Sequence, residues 1–327
     1  MSEKIKVGIL GYGNLGRGAE MAISQQPDME LVAVFSRRGA VETVNKDVKT
    51  LHIDEATDYV NEIDVMILCG GSATDLPDQA PAFARLFNTV DSYDTHALIP
   101  EYFEKVDKVS KENNHVNIIS VGWDPGLFSI NRVMAEAVLH EGKTYTFWGK
   151  GLSQGHSDAV RRVEGVKAGV QYTSPSEESM NEVRRGENPE LTKESSHKRE
   201  CYVVLEDGAE ASVVEDAIKT MPNYFDKYDT TVYFITEEEL ERDHSKMPHG
   251  GFVIHSGQTG TDQTDQIIEY SLKLDSNPEF TASVLVAYAR AAHRLSKEGQ
   301  SGAKTVYDVG PGYIHPKSPA ELRKGYL

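Results

Sequence analysis

The chain has 327 residues, 39% hydrophobic and 26% charged, a composition that excludes wholesale disorder and provides for about two domains with cores of their own. Its formal charge is −17, from 34 basic and 51 acidic residues, which argues against the cationic face that nucleic acids and anionic membranes require. No apolar run approaches the roughly 20 residues of a bilayer span, and MSEKIKVGIL lacks the apolar core and cleavage site of a signal peptide, so a cytoplasmic protein is expected.

IKVGIL is rich in Ile and Val and too short for a helix, so it reads as a buried parallel strand. GYGNLGRG follows directly. Gly11, Gly13 and Gly16 fit G-x-G-x-x-G, and RGAEMAISQQ forms the helix whose N-terminal amides face a phosphate. The loop Gly11, Tyr12, Gly13, Asn14, Leu15 and Gly16 is therefore a candidate cofactor loop. Any glycine-rich connection between a strand and a helix matches this motif; the second strand, MELVAVFS, arriving at βαβ distance, is what makes it informative. That strand ends at Ser36, Arg37 and Arg38. Dinucleotide folds that use NAD place a carboxylate there for the ribose 2′-hydroxyl, whereas arginine accommodates the 2′-phosphate of NADP. With no Asp or Glu among the three, NADP(H) is the expected cofactor and a solvated basic turn is the plain alternative.

Further strand and helix pairs follow in IDVMILCGGS with PDQAPAFARLFN, NTVDSYDTH with PEYFEKVDKVSKEN, and HVNIISVGWDPG. Ligands in open α/β sheets bind beyond the carboxyl ends of the strands. The turn Cys69, Gly70, Gly71, Ser72 and Ala73 joins the candidate cofactor contacts on that ground. After Asp124-Pro125 the pattern loosens: strand-like KTYTFWGK, KRECYVVLE, TTVYFIT, GFVIHS and IIEYSLKL mix with helix-like PSEESMNEVRRG and ASVVEDAIKT. GENPELTKESSHKRE and SGQTGTDQTDQ read as loops. PEFTASVLVAYARAAHRLSKEG is a long amphipathic helix ended by Gly299, with an apolar face available to a second subunit, and SPAELRKGYL opens with a capping signal. The fold expected is α/β, a Rossmann-type doubly wound parallel sheet over residues 1–122, to which 300–327 return. An α+β substrate-binding and dimerisation domain is expected over 123–299, with hinges near residues 122 and 300.

Asp94 and Asp124 lie at the ends of two successive predicted strands. Carboxylates there bind an ammonium group and can take its proton, which favours an amine substrate; the plain alternative is that each caps a turn. Trp123 and Trp148 adjoin glycines and suit a pocket wall or a core. Gln154, Gly155, His156 and Asp158 stand in a turn before a helix whose N-terminus can receive a carboxylate, with a plain strand-to-helix connection as the alternative. Thr173, Arg199, His249 and Asn277 have surface readings on sequence alone. Cys69 and Cys201 lie far apart with no partner motif, and the 11 histidines show no metal-ligand spacing, so neither a disulfide nor a metal is expected.

GYGNLGRG, FSRR, CGGSATDLP, DSYDTH, SVGWDPGLFS, FWGKGLSQGHSDAVRR, TMPNYFDKYDTTV, MPHGGFVI and SNPEFTAS, in this order along essentially the whole chain, resemble the meso-2,6-diaminopimelate D-dehydrogenase family. VGWDPGLFS with GKGLSQGHS and MPHGG is the specific part. The resemblance implies reversible NADP-dependent oxidative deamination of the D-centre of meso-diaminopimelate to L-2-amino-6-oxopimelate and ammonia, in lysine and cell-wall precursor biosynthesis. It implies that Asp94 and Asp124 hold the reacting amine and that Trp123 and Trp148 line the pocket. Gln154 and Gly155 would bind the reacting carboxylate, with Asp158 nearby. Thr173, Arg199, His249 and Asn277 would grip the distal L-end. It also implies a homodimer, with a hexamer left open. The competing readings are another NADP-dependent reductase of the lysine pathway, such as a dihydrodipicolinate reductase or a semialdehyde dehydrogenase with a nucleophilic cysteine, and a non-catalytic NADP(H) sensor.

Overall fold

Apolar runs near the N-terminus fold as parallel strands because both of their faces are covered. In the computed structural model, which describes residues 4–327, these are β1 (Ile5–Leu10), β2 (Met29–Ser36), β3 (Lys49–His52), β4 (Val65–Leu68), β5 (Asn88–Asp91) and β6 (Val116–Ile118). With Gly302–Lys304 they form one seven-stranded sheet in the order Gly302–Lys304, β6, β5, β4, β1, β2, β3. Every pairing is parallel. Successive side chains go to opposite cores. Val7, Ile9, Val34 and Ile67 face one core, and Leu10, Ala33, Phe35 and Met66 face the other. Helices α1 (Asn14–Ser24), α2 (Leu76–Phe83) and α3 (Ile99–Asn113) make the crossovers, and α3 ends on Asn114 in the left-handed conformation at φ +57°. The order reverses between β1 and β4, the switch point at which doubly wound sheets bind ligands.

The chain divides into Met1–Ile130 with Pro278–Leu327, and Asn131–Asn277. The first unit is thus interrupted after Ile130 and resumes at Pro278. The reason is the long helix Asn277–Lys297: Ala282, Leu285, Val286, Tyr288, Ala289 and Ala292 are buried in the first core rather than turned to a second subunit. Gly18 on α1 admits this approach, since a Cβ there would stand 3.0 Å from the Ala282 Cβ. Arg290, 1% exposed, locks the helix in place. It donates to both carboxylate oxygens of Asp28 at 2.6 and 2.7 Å, and to Gln26 Oε1 and the Ile314 carbonyl, each at 2.8 Å. Gly299, at φ +78°, stops the helix region, and a capping box between Ser318 and Glu321 opens the last helix, Pro319–Tyr326.

In the second unit, α4 (Leu127–Val138), which begins before the boundary, leads into β7 (Gly142–Trp148), β8 (Gly151–Leu152), α5 (Gln154–Arg161) and β9 (Val166–Pro175). Next come α6 (Glu177–Arg184), α7 (Lys193–Ser196), β10 (His197–Leu205), α8 (Ala211–Lys219), β11 (Asp229–Phe234) and α9 (Glu237–His244), followed by β12 (His249–Thr259) and β13 (Thr264–Leu274). One sheet runs β13, β12, β7 and is antiparallel throughout. The other runs β11, β10, β9, β8, with β10 and β11 parallel. Both segments read as loops hold structure. GENPELTKESSHKRE contains α7, opened by a Thr192–Ser195 capping box, and SGQTGTDQTDQ is the tip of a hairpin in which Thr259 pairs with Thr264. Their polar composition reflects exposure, since β13 is exposed over most of its length.

Removing Arg290 leaves Asp28 and Gln26 without their donor. Arg290→Ala is expected to destabilise the first unit by about 3 kcal/mol, read as a lower urea midpoint; an unchanged midpoint would show that packing alone holds the helix.

Candidate functional site

The glycines after β1 do separate jobs. Gly11 turns the chain at φ +95°, and a Cβ on it would meet the Cys69 carbonyl carbon at 3.0 Å; a Cβ on Gly16 would lie 2.2 Å from the Gly11 carbonyl oxygen. Those two are required by the chain itself. At Gly13 no protein atom stands within 4 Å of the Cβ position, at the point where the N-terminus of α1 opens. Bare backbone at a helix start fits a pyrophosphate. Asn14 and Leu15 form the first turn of that helix, Leu15 packing on the core. Tyr12 is tied down by Glu20, a carboxylate only 4% exposed. The Tyr12 hydroxyl donates to Glu20, which also accepts the amides of Val44 and Asn45 at 3.1 and 2.7 Å. Burial and the Glu20 hydrogen bond push the Tyr12 phenol up to about 12.

Ser36 closes β2 and accepts the Arg38 amide on its Oγ at 3.2 Å, while the Arg38 guanidinium donates to the Tyr12 carbonyl at 2.9 Å. Arg37, whose side chain is 69% exposed, pairs with Asp75 at 3.0 Å, and Asp75 also accepts the Gly71 amide at 2.8 Å. The two arginines therefore border both the glycine loop and the turn Cys69–Ala73, in which Gly70, Gly71 and Ser72 follow directly on β4. A phosphate beside the ribose fits this pair, and an Asp or Glu for a free 2′-hydroxyl is missing from the end of β2. Cys69 contributes backbone only: its thiol is in the core, and burial pushes it up to about 12.

Asp94 belongs to the same edge. Ser72 Oγ donates to Asp94 Oδ1 at 2.5 Å and accepts the Asp94 amide at 2.9 Å, which stitches the candidate cofactor turn to the loop after β5. Asp94 and Asp124 do not end their strands, as the sequence reading had it: β5 stops at Asp91 and β6 at Ile118, and both residues stand in the loops beyond. Asp124 is half-buried in a tight turn in which the Leu127 and Phe128 amides reach the Gly122 and Trp123 carbonyls at 3.0 and 2.8 Å. Trp123, 7% exposed, packs edge-on against Phe128.

The second unit gathers most of the remaining candidates. The β9–β10 register sets Thr173 opposite Arg199, and the guanidinium donates to Thr173 Oγ1 while lying 4.0 Å from the Tyr228 ring. Arg199 is 8% exposed, its Nε has no hydrogen-bond partner, and burial pulls it below the usual arginine range. Gly151 pairs with Thr173, and a Cβ on Gly151 would meet His249 Nδ1 at 2.5 Å, so His249 adjoins the same strand end. Gln154 Nε2 contacts Met247 Sδ at 3.7 Å, and the Met247 carbonyl accepts the Asn277 amide at 3.0 Å. Gly155, in the first turn of α5, has no atom within 4 Å of its Cβ position. Trp148 stacks on His197, whose Nε2 accepts the Trp148 amide at 2.9 Å. Asp158 is engaged elsewhere, by Arg161 of its own helix. A cavity of about 980 Å³ is lined by Lys150, Tyr172, Ser174, Lys198, Glu200 and His249. Since strand residues alternate, it opens on the face of β9 and β10 opposite Thr173 and Arg199.

Sequence reasoning missed His197 and Tyr228, and it placed His156 in the turn before α5 without a role of its own. His156 accepts or donates at 2.8 Å with Ser153 Oγ, and burial together with the Arg199 charge pulls it down to about 4, so it is neutral near pH 7. Only the strand register, which brings Arg199 beside Thr173, reveals these neighbours.

The segment 122–276 matches the family model described as the diaminopimelic acid dehydrogenase C-terminal domain. The whole chain is 64% identical over 325 residues to the meso-diaminopimelate D-dehydrogenase of Ureibacillus thermosphaericus, covering 99% of both. The chain belongs to the meso-diaminopimelate D-dehydrogenase family. Among solved relatives is a six-fold variant of the Clostridium tetani enzyme with DAP, 52% identical with a TM-score of 0.90, over 99% of this chain and 100% of that one. An engineered D-amino acid dehydrogenase bound to NADP+ is 46% identical with a TM-score of 0.83, again over 99% and 100%. The semialdehyde-dehydrogenase reading fails on its nucleophile as well, because Cys201 is fully buried and burial pushes its thiol up to about 12.

The glycines give a paired test. Gly13→Ala is expected to leave stability within about 1 kcal/mol while weakening NADPH binding at least about tenfold, whereas Gly16→Ala lowers the melting temperature itself. Equal NADPH affinity in Gly13→Ala and wild type, measured by fluorescence titration, would remove the loop from the cofactor site.

Proposed function

We propose that this chain catalyses the reversible NADP-dependent oxidative deamination of the D-centre of meso-2,6-diaminopimelate, giving L-2-amino-6-oxopimelate and ammonia. One observation carries the reading. The unit that matches the family's C-terminal domain buries a guanidinium, Arg199, with its Nε hydrogen uncommitted, beside Thr173 and Tyr228 and close enough to His156 for its charge to act there. A buried cation with spare donors needs an anion, and a substrate with an amino acid at each end supplies a carboxylate far from the reacting carbon. Residues of the same type and number as Gln154, Thr173, Arg199, Pro248 and His249 are replaced in the Clostridium tetani variant, which supports placing the substrate against them.

On this reading Gly11–Gly16, Ser36, Arg37, Arg38 and Cys69–Ala73 hold the cofactor. NADP+ held there would supply the acceptor for the hydride of the D-centre. Asp94 and Asp124 hold the reacting ammonium and accept its proton, which makes the nitrogen lone pair available to form the imine. Gln154 and the free backbone at Gly155 receive the adjacent carboxylate at the start of α5. Thr173, Arg199, His249 and Asn277 grip the L-end, with Asp158 bordering this end, and Trp123 and Trp148 wall the site. With the L-centre clamped, only the D-centre hydrogen is presented for transfer, so binding energy from the remote end sets the stereochemistry. One of the two aspartates then activates the water that hydrolyses the imine. The same reading carries a homodimer working in the cytoplasm; none of the described helices is long and apolar enough to cross a membrane.

NADP+ reduction at 340 nm should be rapid with meso-diaminopimelate and absent with the L,L isomer or with NAD+. NADPH binding without turnover would return the second unit to a sensing role. Replacing both Arg37 and Arg38 by Ala removes two charged partners of about 1.5–3 kcal/mol each, so NADP+ affinity should fall by at least about 100-fold with NAD+ affinity unchanged; equal losses would contradict the phosphate role. Asp124→Asn should cut kcat by about 10²–10⁴ with NADPH affinity retained.

A further inference from the structure

We infer that Asp91, which has no part in the steps above, is the positioning residue that sets Asp94 and Asp124 relative to each other. This rests on the reading in which those two aspartates hold the reacting amine.

Asp91 is the last residue of β5 and is completely buried. Its Oδ1 accepts the Tyr93 amide at 2.9 Å and the Ser120 amide at 3.1 Å; its Oδ2 accepts the Tyr102 hydroxyl at 2.8 Å. Its own carbonyl accepts the Val121 amide at 2.8 Å. One residue thus fastens the first turn of the loop that carries Asp94 to the start of the loop that carries Trp123 and Asp124. β5 and β6 pair only at Thr89–Asn117 and Val90–Ile118, so the ladder has ended before either loop begins.

Two features show that the fastening works against resistance. Ser120 adopts φ +56°, a left-handed conformation that costs a serine about 1 kcal/mol or more, and its amide is aimed at the carboxylate. The carboxylate sits without a cation: its partners are two amides and a phenol, under a lid in which Tyr93 and Tyr102 stack with centroids 4.0 Å apart. Burial pushes the Asp91 carboxyl up to about 6 in spite of those hydrogen bonds. A buried charge with only neutral donors is costly. It is retained here where two loop backbones require acceptors on one atom and a phenol requires one on the other, a set that Ala, Leu or Ser cannot supply. Asn can, if its oxygen keeps the two amides and its NH2 donates to Tyr102.

The test uses the full-length enzyme and three variants, with kcat expressed per NADPH-binding site so that misfolded protein does not count. Asp91→Ala is expected to lose about 100-fold in kcat with KM for NADP+ and NADPH affinity near wild type, Asp91→Asn to recover most of that loss, and Tyr102→Phe to lose a few fold. Should Asp91→Ala bind no NADPH, the Tyr102→Phe and Asp91→Asn pair decides by the same measure. Wild-type kcat per site in both Asp91→Ala and Tyr102→Phe overturns the proposal, as does an Asp91→Asn variant no better than Ala. Asp94→Asn and Asp124→Asn are run alongside: if both retain wild-type kcat, the aspartate reading itself fails and the positioning role falls with it, whereas their inactivity beside a fully active Asp91→Ala defeats the positioning role alone.

Discussion

A guanidinium sealed from water holds the first unit together. The chain leaves this unit after Ile130 and returns at Pro278, so a helix made late must find a sheet made early. Arg290 ends that search with four hydrogen bonds to Asp28, Gln26 and Ile314, which come from the entry to β2 and from the C-terminal segment. An arginine suits the place because its planar fork offers five donors in fixed directions. The covered sheet face, the switch point between β1 and β4 and the loops beyond it all depend on this helix staying down.

Beyond the sheet, the organisation of the site falls largely to carboxylates that accept backbone amides. Glu20 ties the loop after Arg38 to Tyr12, Asp75 joins Arg37 to Gly71, and Asp91 spans the ends of β5 and β6. An ionised carboxylate accepts on two oxygens and donates nothing, which makes it well suited to gathering several N–H groups at the frayed end of a parallel sheet. In an acidic chain such residues are easily passed over as surface charge.

That difference explains what could be read in the sequence. MELVAVFS is β2 to the residue, and the order of strand, glycines, helix and strand placed Gly11–Gly16 and Ser36–Arg38 correctly on one edge, because those features are local. Asp94 and Asp124 were singled out for the chemistry a carboxylate offers, while their place in the loops beyond β5 and β6 was not read. Thr173 and Arg199 carried no signal of their own and came only from family resemblance, since what joins them is a strand register across 26 residues. Glu20, Asp75 and Asp91 were missed for the same reason: each acts on a partner far along the chain, at separations of 24, 38 and 29 residues. Both strands of the hairpin β12–β13 were read as strands, but their ends at the tip were taken for a loop because exposed strand residues there keep a polar composition.

The split in the first unit also orders events in time. Asn131–Asn277 is continuous and is synthesised whole, while its host has only its first six strands. Until Pro278 and the residues after it emerge from the ribosome, the sheet face bearing Val7, Ile9, Val34 and Ile67 lacks the helix that covers it. The inserted unit can therefore finish folding before the unit that contains it. For that interval the nascent chain displays an open apolar sheet face, the kind of surface that attending chaperones recognise.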